Sequence, residues 1–250
     1  MDDFRLLIDL HKDGERQGPG GSAQTELALS LTGLANRSGL KIADIGCGTG
    51  ASTRLLARTL DTQITAIDFL PEFLEILQDK AEDDGLAQKI ETLAVSMEEL
   101  PFAQASLDAI WAEGSIYNIG FVRGISEWKR FLKPGGVLAV SELTWLTGDR
   151  PEELQRHWER EYPEVASAAC KLSQLEDAGY KPIGYFPLPQ ECWLEHYYRP
   201  MQGRFGGFLE RHQGSDAARE IVKAEQAEID LYERYADYVS YGFYVAEKRR

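Results

Sequence analysis

K-I-A-D-I-G-C-G-T-G, residues Lys41 to Gly50, is the stretch from which the rest of the chain is read. A short apolar run, Ile42, Ala43 and Ile45, ends in a loop with glycine at alternate positions, Gly46, Gly48 and Gly50. A helical pattern follows at once, with Leu55, Leu56 and Leu60 on one side. Strand, glycine turn and helix open a nucleotide-binding α/β unit, whose ligand sits at the carboxyl end of the strand against the helix amino terminus. Glycine suits such a loop because it adopts backbone angles closed to other residues and lets the main chain approach a ligand.

Outward from this loop the chain alternates. Strand patterns at 63–69, 90–96, 107–112 and 137–143 are separated by helical patterns at 71–81, with Pro71 at its start, and at 125–132. The K-P-G-G run at 133–136 reads as the turn before the fifth strand. Alternation of this kind predicts a parallel sheet with helices on both faces. Later the rhythm loosens. Helices are expected at 152–161 and 165–178, the second with Ser173 and Glu176 as a capping box. A sixth strand at 181–188 precedes an aromatic-rich stretch, 189–214, with no strand pattern. A helix at 216–239 and a last strand at 241–247 complete the chain.

Upstream, helical spacing at 4–11 and 25–35 flanks a glycine-rich link, 12–22. That link is either a connector or a lid ordering over ligand; Glu15, Arg16 and Gln17, polar and without an evident packing role, favour the lid. The whole reads as one domain, 1–250: helices and lid at 1–38, a ligand-binding core at 39–145, and a carboxyl-terminal part at 146–250 with an insertion at 189–240.

Composition sets outer bounds. At 250 residues, with 43% hydrophobic and 27% charged residues, the chain is an ordinary globular one. A formal charge of -14 counts against a nucleic-acid backbone as main partner. Cys47, Cys170 and Cys192 lie far apart with no Cys-x-x-Cys pair, so neither a metal site nor a disulfide framework is expected. The sequence shows neither a secretory pattern at its start nor a membrane-length apolar run, so a cytoplasmic location is expected.

Two acids sharpen the loop. Asp68, about 20 residues beyond it at the end of the second strand, is placed for ribose hydroxyls. Asp44 stands before the first glycine, giving D-x-G-x-G-x-G rather than the G-x-G-x-x-G of pyrophosphate binders. An acid there is an awkward neighbour for a diphosphate and suits a ligand with positive charge or an amine. With five pieces in order, D-I-G-C-G-T-G (44–50), A-I-D-F (66–69), S-M-E-E-L-P-F (96–102), L-D-A-I-W-A-E-G (107–114) and L-K-P-G-G (132–136), the sequence resembles the class I S-adenosylmethionine-dependent methyltransferases.

The resemblance implies a Rossmann-like, seven-stranded, mostly parallel sheet with helices on both faces and an antiparallel last strand, and S-adenosyl-L-methionine as cofactor. Gly46, Gly48 and Gly50 would shape the loop around its methionine part, with Asp44 near the amino group. Asp68 would hold the ribose and Phe69 lie beside the adenine. Ser96 and Met97 stand where the family often has an acid and an apolar residue at the adenine; Ser96 departs from that pattern. Glu113 would sit where cofactor and acceptor meet. The chain as a whole, with its G-P-G and E-G-x-I-Y-N-I-G runs, is similar to a group of uncharacterised microbial small-molecule methyltransferases.

Transfer from a sulfonium is an in-line displacement, accelerated mainly by positioning, and needs a base only when the acceptor loses a proton. Candidates therefore come from strand ends and from the aromatic insertion. Glu113, Tyr117 and His196 are the catalytic candidates, and Ser115, Asn118, Trp145, Trp193 and Tyr197 the acceptor-binding ones. Trp193, Tyr197 and Tyr198 fit equally a core under the insertion. The expected partner is a small-molecule methyl acceptor in an enclosed pocket, with no nucleic acid or membrane. The insertion and the final Y-G-F-Y strand offer apolar surface for a homodimer. Methylation of a protein or an RNA end, a non-catalytic S-adenosylmethionine-binding protein, and a dehydrogenase are the alternatives, the last disfavoured by the loop spacing.

Overall fold

The computed structural model describes residues 3–249. The chain runs α1 (Asp3–His11), α2 (Ser22–Thr32), β1 (Lys41–Ile45), α3 (Ala51–Thr59), β2 (Gln63–Asp68), α4 (Pro71–Asp83), β3 (Ile90–Ala94), β4 (Leu107–Glu113), α5 (Phe121–Trp128) and β5 (Leu132–Trp145). It continues through α6 (Glu152–Glu161), β6 (Ala166–Ser167), α7 (Ala168–Asp177), β7 (Tyr180–Pro187), α8 (Gln190–Trp193), α9 (Arg199–Arg211), α10 (Asp216–Tyr235) and β8 (Val239–Lys248).

Strand order in the sheet is β3-β2-β1-β4-β5-β8-β7, with the two-residue β6 pairing beside the end of β5. The pairs from β3 to β5 are parallel, and β8 runs antiparallel to both neighbours. The central strands are apolar almost throughout: β4 is buried from Leu107 to Ala112, as expected of a strand covered on both faces. Chain order reverses between β1 and β4, and the crevice above the carboxyl ends of those two strands is where such sheets bind ligands. One core cluster packs α2, α3 and the carboxyl-terminal helices on one face, and a second packs α5 and α7 on the other.

Several elements depart from the sequence reading, each for a local reason. The K-P-G-G run lies inside β5: pairing jumps from Leu107–Leu132 to Ala109–Val137, so the four residues form a bulge within the strand. The helix expected at 165–178 starts at Ala168, because Ala166 and Ser167 pair with β5, and Ser167 Oγ is the cap, accepting from the Cys170 amide at 3.4 Å. Ser173 and Glu176 fall inside that helix rather than at its start. The stretch at 189–214 is helical: α8 passes through a π-helical turn, Leu194–Tyr198, into α9. The helix expected to reach 239 stops at Tyr235, since Val239 pairs with Trp145 as the first residue of β8.

The insertion aromatics turn inward. Trp193 is 2% exposed, stacks on Tyr232 at 4.5 Å and donates its indole N–H to Ser240 Oγ at 3.0 Å. Tyr241 to Tyr244 lie within β8, flanked on both edges. Trp193 and the Tyr241–Tyr244 run are thus taken up by the fold's own core and sheet. No described helix is long and apolar enough to cross a membrane.

Candidate active site

Above the β1–β4 crevice lies a cavity of about 760 Å³, within the range of small-molecule and cofactor sites. Its floor is the glycine loop. The Gly46 and Cys47 amides both donate to the Ile67 carbonyl, at 2.8 and 2.9 Å, which folds the loop back across β2. Gly46 has φ 71°, and a Cβ there would fall 2.3 Å from the Ser115 Cβ. Gly50, φ 84°, would carry a Cβ 2.0 Å from Leu77 Cδ1. Both positions thus require glycine twice over, for conformation and for space.

Asp44 stands behind this loop and is not part of the cavity wall. It is fully buried; Oδ2 accepts from Ser52 Oγ at 2.8 Å and Thr53 Oγ1 at 2.6 Å, tying the first turn of α3 to β1. Its Oδ1 has no hydrogen-bond partner, and burial pushes its acid up to about 7. Asp68 lines the cavity. Its Oδ2 accepts from the Gly48 amide at 2.9 Å and its Oδ1 from the Leu70 amide at 3.0 Å. Each oxygen keeps a further lone pair for a ligand hydroxyl, and burial raises the acid above its ordinary value. Phe69, 66% exposed, presents its ring beside Asp68 in the wall. Ser96, Met97 and Glu98 close that end, and Trp128 fixes them by donating to the Met97 carbonyl at 3.1 Å. A bare-backbone loop, a carboxylate with free lone pairs and an exposed aromatic face together fit a nucleoside; Asp44, expected near a ligand amino group, instead anchors the loop from behind.

At the end of β4, Glu113 is bound from three sides. Arg16 Nη1 donates to its Oε2 at 2.7 Å, Thr25 Oγ1 to its Oε1 at 2.7 Å, and Trp111 Nε1 to its Oε1 at 2.8 Å. The pair is enclosed, with side-chain exposures of 11% for Arg16 and 7% for Glu113. Beside it, Gln17 bridges to the loop: its Nε2 donates to Thr49 Oγ1 at 3.1 Å and its Oε1 accepts from the Thr49 amide at 2.9 Å. Glu15 reaches Arg54 at 3.0 Å and Lys80 at 2.9 Å. The link at 12–22 therefore lies across the glycine loop, with Glu15, Arg16 and Gln17 paired to the core.

The acceptor candidates separate into three groups. Tyr117, Asn118 and Tyr197 line the cavity. Desolvation raises the Tyr117 phenol and takes the Tyr197 phenol well above its ordinary range. Asn118 Nδ2 donates to the Ser115 carbonyl at 2.9 Å. Ser115 touches the cavity but is 5% exposed, its hydroxyl donated to the Ile45 carbonyl at 2.6 Å, so it buttresses the loop. Trp145, Trp193 and His196 lie outside the wall. Trp145 is covered by the Arg150 guanidinium at 4.5 Å, Trp193 is core, and His196 Nδ1 donates to the Gly20 carbonyl at 2.8 Å. A histidine used in that way pins the end of the link and has no access to an acceptor.

Residues 43–140 match the model of the methyltransferase domain family. An O-methyltransferase of Aspergillus nomiae is 32% identical over 155 residues, covering 61% of this chain and 69% of that protein. This chain is a class I S-adenosylmethionine-dependent methyltransferase. The 27-O-demethylrifamycin SV methyltransferase of Amycolatopsis mediterranei is 26% identical over 91% of this chain and 84% of its own. In fold, the methyltransferase superposes on a Geobacter sulfurreducens S-adenosylmethionine-dependent methyltransferase solved with S-adenosyl-L-homocysteine, with TM-score 0.83, 19% identity and 98% coverage of each chain. Its cofactor is S-adenosylmethionine.

Sequence reasoning missed part of the methyltransferase's cavity. Phe4, Leu7, Ile8 and His11 of α1 roof it, and Glu225 of α10 enters its wall. Phe4 and Leu7, 50% and 36% exposed, were a visible signal only as the apolar side of a short helix with nothing in the sequence to say what it covers. Glu225 gave none, since it sits among other acids on a long amphipathic helix.

Proposed function

We propose that this methyltransferase transfers the cofactor's methyl group to a small-molecule acceptor held under α1. One observation carries the reading. The same cavity is lined by the glycine loop, by Glu113 and Gly114, and by Tyr117, Tyr197 and the apolar side of α1. A concave site of about 760 Å³ with apolar and aromatic walls suits a compact molecule.

The cofactor, when bound, supplies an electrophilic methyl sulfonium. Gly46, Gly48, Asp68 and Phe69 are proposed to hold it, with Ser96 and Met97 at the adenine end. Glu113 is not free to act as a base: its carboxylate accepts three hydrogen bonds and faces Arg16. We assign it instead to closing the link at 12–22 over the site, which excludes water and fixes the acceptor's line of approach. Tyr117 and Tyr197 offer ring faces and hydroxyl donors to orient the acceptor.

The test is methyl transfer from labelled S-adenosylmethionine to a library of small metabolites, beside a basic histone-type protein and total RNA. Transfer to one or more small molecules, and not to the macromolecules, supports the reading. Label appearing only in protein or RNA rejects it.

A further inference from the structure

The cavity is edged with acids: Glu15, Asp68, Glu98, Glu113 and Glu225 all reach its wall. Among the described residues Arg16 is the single arginine or lysine there. A guanidinium carries five N–H donors. Glu113 takes one from Arg16 Nη1 at 2.7 Å, and Thr25 one from Nη2 at 3.2 Å. The neighbouring Gln17 is bonded to Thr49, between two of the loop glycines, so Arg16 spans from the glycine loop to the end of β4. Sheet order says which end of the site this is. Along β3-β2-β1-β4, Ser96 follows β3, Asp68 ends β2, the glycine loop follows β1 and Glu113 ends β4. Adenine at Ser96 and ribose on Asp68, as proposed above, leave the cofactor's amino-acid tail over the loop, toward Glu113 and Arg16.

We propose that Arg16 binds the α-carboxylate of S-adenosylmethionine, and that this contact seats the 12–22 link on the core. The proposal rests on the cofactor placement given above. The tail is a zwitterion, with a carboxylate and an ammonium on one carbon. Arg16 and Glu113 are an ion pair in an enclosed setting, their side chains 11% and 7% exposed. A carboxylate taken out of water costs free energy unless it is paired, and in this wall the guanidinium is the group that pairs it. The first turn of α3 adds to the attraction: Ala51 and Ser52 line the same cavity, and a helix amino terminus favours an anion. Charge-assisted contacts of this kind are the strong ones, and separate N–H groups of one guanidinium serve two carboxylates at once. Arg16 thus has one anion in the core, Glu113, and gains a second with the cofactor. The link is held more firmly once S-adenosylmethionine is in place, so closure follows cofactor entry.

The experiment compares S-adenosylhomocysteine with S-adenosyl-3-thiopropylamine, which keeps the nucleoside, the thioether and the amine and lacks only the carboxylate. Titration calorimetry reads both affinities on the parent chain, Arg16→Met and Arg16→Lys. The parent is expected to bind S-adenosylhomocysteine about tenfold or more tighter than the amine. In Arg16→Met that preference is expected to shrink to about threefold or less, and Arg16→Lys, which keeps the charge, to restore part of it. Misfolding or a loosened link would lower both affinities alike and leave their ratio unmoved. Amide exchange supplies a readout on the parent alone. At saturation with each ligand, the Thr49 amide, bonded to Gln17 Oε1, and the Gly20 amide, bonded to the Cys192 carbonyl, are expected to be about tenfold better protected under S-adenosylhomocysteine, with β2 amides unchanged. A parent that binds the two ligands alike, or an Arg16→Met ratio equal to the parent's, overturns the carboxylate contact and leaves the cofactor placement intact. Equal protection under the two ligands overturns the seating of the link. No binding of S-adenosylhomocysteine to the parent rejects the cofactor placement, and the proposal with it.

Discussion

Replacing Arg16 by Met should loosen the segment that closes the site. Arg16 makes one short charge-assisted hydrogen bond to Glu113 and a weaker one to Thr25, at 2.7 and 3.2 Å. Hydrogen bonds to charged groups contribute about 1.5–3 kcal/mol, and removing one member of a buried pair costs about 3–5 kcal/mol when the other stays buried. Here Glu113 regains water once the segment swings away, so the lower range applies: about 2 kcal/mol, or roughly 30-fold in the closing equilibrium. Amide hydrogen exchange reads this directly. The Thr49 amide is bonded to Gln17 Oε1 and the Gly20 amide to the Cys192 carbonyl, so both open with the segment. In Arg16→Met their protection should fall by roughly 30-fold, while amides within β2 keep theirs. Combined with Glu113→Gln, the two losses should not add. If Thr49 keeps its parental protection, the segment is not latched by this pair and the role assigned to Glu113 is wrong.

Two further outcomes concern stability. Glu228 is buried beside Tyr198, whose hydroxyl donates to it at 2.9 Å, and desolvation, helped by Glu225, raises its acid to about 7 from an ordinary 4.5. The native state therefore keeps this proton between those values while the unfolded chain releases it, so stability falls as pH rises through that window. At about 1.4 kcal/mol per pH unit the loss is at most about 3 kcal/mol by pH 7; the gap between urea midpoints at pH 5 and pH 8 should narrow in Glu228→Gln, the remainder coming from Asp44 and Glu142, which burial also raises to about 7, and an unchanged pH slope refutes the assignment. Trp193→Ala removes a ring stacked on Tyr232 and contacting Trp158, Tyr198 and Tyr241, and should cost about 3–5 kcal/mol of unfolding free energy. A loss below 1 kcal/mol would mean the insertion is not part of the core.

The cofactor half of the site was legible because its constraints are local. Gly46 and Gly50 are forced by backbone angle and by contacts that leave no room for a side chain, and Asp68 stands at a fixed distance along a βαβ unit. Even there, the role of Asp44 needed coordinates: its partners, Ser52 and Thr53, are close in sequence, but nothing in the spacing says that the carboxylate turns away from the cavity. The acceptor half was poorly legible because it is assembled from segments about 200 residues apart. His11 and Glu225 look like a helix end and a solvated acid until α1 and α10 are packed together. His196 was the more conspicuous histidine among its aromatic neighbours, yet the bend of the π-helical turn spends it on the Gly20 carbonyl. Likewise, aromatic richness at 189–214 marked a core, and periodicity failed there because α8, the π-helical turn and α9 do not share one helical repeat.

The account stands most directly on the ligand that the glycine loop and Asp68 are proposed to hold. Titration calorimetry with S-adenosylhomocysteine on the parent chain and on Asp68→Ala, the latter checked for a cooperative thermal transition, measures it. We expect one S-adenosylhomocysteine per chain, no binding of NAD, and affinity at least tenfold weaker in Asp68→Ala, from loss of charge-assisted hydrogen bonds to the ribose. Equal affinity in the two proteins, or binding of NAD in place of S-adenosylhomocysteine, would contradict it.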